Sequence, residues 1–116
     1  MAQLVRVSNS QVLIPKLQIA DSMITRLRGL LGTTELRADQ ALWIHQCNSV
    51  HTFFMKYAID CVFLDRDMFV TSIKHDVKPG RIVWPQWGAK TVVEMKAGVA
   101  AQIFGLQKGE KLHVGT

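Results

Sequence analysis

The stretch from Ile59 to His75 confines the chain to a strand-rich fold more tightly than any other part of it. IDCVFL at Ile59 to Leu64 is a short apolar run of strand type. Asp65-Arg66-Asp67 reads as a turn, and in the following run, Phe69 to His75, residues Phe69, Thr71 and Ile73 share one face. Two strand patterns joined so closely by turn residues predict an antiparallel pair.

The rest of the chain follows the same logic. Val12, Ile14, Leu17 and Ile19 alternate partly across Gln11 to Ile19, which suits a bent or edge strand interrupted at Pro15. Ala41 to Gln46 predicts a strand with Trp43 and His45 on one face and Leu42 and Ile44 on the other. Thr91 to Met95 and Lys111 to Val114 predict two more. Helical spacing occurs at Met23, Ile24, Leu27, Leu30 and Leu31, with Asp21 placed to cap and Gly32 to stop that helix. A second short helix is expected near Val99 to Phe104, ended by Gly105. Lys78 to Gly88, with two prolines, two glycines and two tryptophans, reads as a long ordered loop. The fold class expected is α+β, mainly β: an antiparallel β-sandwich or barrel-like domain with two short helices.

Length and composition bound the setting. A chain of 116 residues, 48% hydrophobic and 20% charged, suits one domain spanning 1–116 around one core. Its two cysteines, Cys47 and Cys61, are too few for a disulfide scaffold, which favours a reducing compartment. Met1 to Ser10 lacks the apolar run of a signal peptide, and no stretch has the length of a membrane span. The expected location is therefore cytoplasmic, with no membrane partner. A net charge of +5, scattered along the chain, attracts polyanions without specificity, so nucleic acid is not the expected partner.

The segment CNSVHTFFMKYAIDCVFLD, Cys47 to Asp65, resembles the signature of domain-of-unknown-function family 192, DUF192. Its pattern is His51-Thr52, then Met55, then Ile59-Asp60, then Phe63-Leu64-Asp65. RLRGLLG at Arg26 to Gly32, the Pro79 loop, Val93-Glu94 with Ala97-Gly98, and Gly105-Leu106 with Lys108-Gly109-Glu110 extend the resemblance over nearly the whole chain. Glu110 stands where an aspartate is commoner, and Lys56-Tyr57-Ala58 replaces a segment that more usually holds a proline. The resemblance implies a β-rich sandwich or barrel-like domain with two short helices, and it carries no activity or catalytic residue across.

Three groupings of residues have chemical content. His45, Cys47 and His51 lie within seven residues, and with Asp60 they are the candidate ligands for zinc, although H-x-C-x3-H is not a standard zinc spacing. Cys47 as thiolate, His51 as base and Asp60 as orienting acid would make a hydrolase of Cys/His type. The third reading is a network in which His51, Thr52 and Asp60 pair with one another or with loop amides and fix a turn. In the Lys78 to Gly88 loop, Trp84 and Trp87 beside Lys78 and Arg81 can stack on flat rings.

The expected function is a small binding module whose pocket lies between the His51/Asp60 turn and the Lys78 to Gly88 loop. Its candidate ligand-binding residues are His51, Thr52, Met55, Asp60, Arg81, Trp84 and Trp87. A Cys/His or metal-assisted hydrolase and a protein-interaction domain of a larger assembly are the alternatives; no catalytic residue is assigned and no cofactor is required.

Overall fold

The computed structural model describes residues 2–20, 35–53 and 55–115, and the alternating runs in them become strands. In chain order these are β1 (Ala2–Arg6), β2 (Gln11–Ala20), β3 (Gln40–Ile44), β4 (Val50–His51), β5 (Ile59–Leu64), β6 (Val70–Val77), β7 (Ile82–Val83), β8 (Thr91–Lys96) and β9 (Leu112–Gly115). Seven form one sheet in the order β6-β5-β8-β3-β2-β1-β9, while β4 and β7 make a separate two-stranded ribbon. All pairings are antiparallel except β2 with β3.

The large sheet curls until its two edges touch. Phe69, just before β6, bridges to Lys111, just before β9. Around that bridge Leu112 N donates to Met68 O, and Val70 N donates to Glu110 O. Among the described residues the strands therefore build a curled, barrel-like sheet plus a ribbon, rather than two packed sheets.

Alternation along β5 shows how both faces of the sheet are buried at this strand. Val62 and Leu64 point to an inner core that draws apolar residues from all seven strands, among them Leu4, Leu17, Met95 and Leu112. Ile59, Cys61 and Phe63 point the other way, onto an outer core with Leu42, Ile44 and Val92. Cys47, Val50, Met55 and Val83 cover that outer face, so the segment carrying β4 and the segment carrying β7 are packed against β3, β5 and β8. Every residue of β5, Asp60 included, is buried in consequence.

Pro15 does not interrupt β2. Ala2 pairs with Leu17 and Leu4 with Ile14, so Gln3 of β1 faces both Pro15 and Lys16 of β2, and Pro15 sits in the resulting bulge. Nor is β2 an edge strand, because β1 and β3 flank it. The second expected helix is a five-residue π-helical turn, Val99–Ile103. Its entry is set by Gly98 at φ 92°, a left-handed conformation that only glycine adopts readily. The helix expected over Asp21 to Leu31 lies outside the described residues.

Candidate functional site

Three polar residues of the Cys47 to Asp65 segment act on backbone. Thr52 is fully buried; its hydroxyl donates to Lys78 O at 2.6 Å and accepts from Arg81 N at 2.9 Å. Thr52 O also accepts from Gly80 N, so one residue holds the whole Lys78 to Arg81 turn. Asp60, also fully buried, accepts from Asp76 N through Oδ1 and from Gly98 N and Ala100 N through Oδ2, at 2.8 to 3.0 Å. Asp65 Oδ1 accepts from Asp67 N and Phe69 N and shapes the β5–β6 turn.

These bonds correct the expected His51/Asp60 turn. Asp60 shares the inner face of β5 with Val62 and Leu64, whereas β4 and its His51 belong to the segment covering the outer face. Both carboxylate oxygens are committed to amides, and no His51–Asp60 bond forms. Met55 is buried in the outer core, which leaves it no surface to offer a ligand.

The His51 strand and the tryptophan loop do lie side by side. Val50 pairs with Val83 and His51 with Ile82, so the ribbon fastens the His51 strand to the tryptophan loop. A cavity of about 540 Å³ opens along it, lined by His51, Phe53, Ile82, Trp84 and Cys47 among others. The His51 ring stacks on Phe53 with centroids 5.3 Å apart. Trp84 is 72% exposed and Trp87 is 99% exposed, with Ile82 and Phe53 also exposed beside them. Gln86 fixes the loop between the tryptophans: its backbone N donates to Asn48 O, its side-chain Nε2 donates to Trp84 O, and its Oε1 accepts from Ser72 Oγ. Phe53 and Trp84 form an aromatic ledge over the cavity, with Trp87 beside it, on a loop held by the hydrogen bonds of Gln86. Arg81 is exposed on the turn that Thr52 holds, and Lys78 Nζ is paired with Asp76 at 2.8 Å.

Phe53 and Ile82 were not among the expected ligand-contacting residues. Their signal in the sequence is weak, since an apolar residue ordinarily points inward; Ile82 is exposed in the ribbon opposite His51, and Phe53 in the turn just after β4. Trp87 does not line the ledge cavity; it stands over a neighbouring recess with Pro85 and Gln86.

The candidate zinc ligands are dispersed. His45 stacks edge-on against Trp43 at 4.2 Å, Cys47 Sγ donates to Ser49 O at 2.8 Å, and Asp60 is on the inner face. Among the described residues no three histidine, cysteine, aspartate or glutamate side chains converge in a way that could hold a metal ion. Also among the described residues, no helix is long and apolar enough to cross a membrane.

Comparison with known proteins matches the fold and the motif together. The DUF192 family model, described as "Uncharacterized ACR", matches residues 4–114. A UPF0127 protein of Thermococcus sibiricus is 31% identical over 100 residues, covering 83% of this chain and 64% of its own length; the chain thus spans less than two thirds of that relative. A UPF0127 protein of Pyrococcus abyssi is 29% identical over 100 residues, 84% of either chain. Among solved structures, a protein of unknown function from Novosphingobium aromaticivorans superposes with a TM-score of 0.79 at 20% identity, covering 97% of this chain and 82% of that one. At that identity the likeness is one of fold.

Proposed function

The chain belongs to the DUF192 family, and we propose that it is a small binding module whose ligand lies on the aromatic ledge between the β4–β7 ribbon and the 84–87 loop. One observation carries the reading: Trp84 and Trp87 stand 72% and 99% exposed on a loop that hydrogen bonds hold in place. Leaving two indoles in water forgoes the burial that usually stabilises them, by roughly 1.5 to 3 kcal/mol per large apolar side chain. An apolar cluster kept outside the core marks a contact surface. The ledge suits a flat or apolar body, and Arg81 nearby favours one that carries negative charge.

The hydrolase alternative draws on Cys47 and His51, which line the same cavity. It lacks its third group, because Asp60 is bonded to amides on the other face of β5, so binding without chemistry is the better-supported function. Cys47 and Cys61, both buried thiols, accord with work in a reducing compartment such as the cytoplasm.

The test is native mass spectrometry of untagged protein isolated from its own cells. A stoichiometric small-molecule adduct that Trp84→Ala abolishes supports the proposal; an adduct that survives both Trp84→Ala and Trp87→Ala, or a protein-only complex, refutes it in favour of another site or of a protein partner.

A further inference from the structure

A second cavity, of about 510 Å³, lies on the other side of the 46–48 segment from the ledge, and it has a different chemistry. Trp43, His45, Thr91 and Arg66 line it. Trp43 pairs with Val93 and packs against the inner core, and Thr91 follows Val93 along the same face of β8. The cavity therefore opens at one mouth of the curled sheet, a place where barrel-like folds commonly take ligands.

Three of the side chains that line it each hold a buried polar atom without a hydrogen-bond partner: Trp43 Nε1, His45 Nε2 and Thr91 Oγ1. Buried polar groups are ordinarily paired, and leaving one unpaired costs about 1 to 3 kcal/mol. The indole nitrogen can only donate, and the hydroxyl and imidazole can do so. Arg66 and Lys90 stand at the rim, and neither is in an ion pair among the described residues. No aspartate or glutamate lines the cavity. Donors inside, cations at the rim and no acid all select an anion. The Trp43 ring, Cys47 and Ala89 supply apolar wall, which selects an anion with a hydrocarbon body over a bare inorganic ion.

We propose that this mouth binds a small organic carboxylate with a flat apolar body, the carboxylate accepting from Trp43 Nε1 and Thr91 Oγ1 and facing Arg66. The site stands on residues other than the ledge tryptophans, so each proposal can fail without the other.

Benzoate is the probe, titrated into full-length protein and followed by the Trp43 indole N–H resonance, assigned through Trp43→Phe. The expected result is a saturable shift of that resonance, with benzamide binding about tenfold or more weakly, as loss of a charge-assisted hydrogen bond implies. Thr91→Val, which keeps the shape and removes the donor, is expected to weaken benzoate about tenfold, and the surface substitution Arg66→Gln to weaken it several-fold without disturbing the fold. Trp84→Ala is expected to leave benzoate binding unchanged. The proposal is overturned by benzamide binding as well as benzoate, by inorganic phosphate displacing benzoate at equal concentration, by no saturable response, or by affinity that Arg66→Gln leaves intact in a folded variant.

Discussion

Thr52 and Asp60 show how much of the Cys47 to Asp65 motif is spent on backbone. Asp60 supplies acceptors to three amides, two of them at the entry to the π-helical turn 38 and 40 residues away in sequence. Asp60→Asn keeps the size but sets an amide group against at least one of those donors, and it should cost about 2 to 3 kcal/mol in urea unfolding. Thr52→Val removes the hydroxyl that bridges Lys78 O and Arg81 N. A loss of about 1 to 3 kcal/mol is expected in the same measurement, together with faster hydrogen exchange at Arg81. The sequence made a paired, turn-fixing role for these residues legible, since short polar side chains inside an apolar run must find partners. Which partners they find was not, because Lys78, Gly98 and Ala100 are distant in sequence and brought near only by the tertiary fold.

At the scale of elements, the strands with clear alternation or a mostly apolar run were readable: β5 spans the expected Ile59 to Leu64, and β2, β3, β6 and β8 lie where their patterns indicate. β1 escaped because its five residues carry little alternation and gain their place by pairing on both sides with β2 and β9. β4 and β7 escaped for a related reason, as two-residue strands have no period to read. Val99 to Phe104 carries a helical pattern too short to tell an α-turn from a π-turn; the acceptor that decides the geometry, Asp60, is on another strand. Gly98→Ala tests that junction. Its Cβ would meet Gln102 Oε1 at 3.2 Å with φ at 92°, and a loss of about 1 to 2 kcal/mol is expected in thermal or urea unfolding. Gly88→Ala provides the contrast, since φ is also positive there but nothing lies within 4 Å; a smaller loss is expected, from backbone strain alone.

For the molecule as a whole, two features decide where function can sit. The sheet curls so that one face is a shared interior, and the mouth and the outer covering are where cavities meet solvent. Both candidate cavities lie there, divided by the 46–48 segment that lines each. A barrel-like sheet was among the expected architectures, yet the meeting of its edges at Phe69 and Lys111 depends on curl that no local pattern encodes. The Trp84 and Trp87 loop was legible as a candidate surface from composition, whereas its attachment to the His51 strand required the ribbon. Because the two indoles are largely in water, Trp84→Ala and Trp87→Ala should each change unfolding free energy by no more than about 0.5 kcal/mol, the usual range for surface substitutions. Stability and binding should therefore separate at these positions. The most direct measurement is native mass spectrometry on untagged wild-type protein and its Trp84→Ala variant, isolated side by side from their own cells. A stoichiometric small-molecule mass on the wild type, absent from an equally stable variant, is the result expected of a binding ledge; the same mass retained by the variant would contradict it.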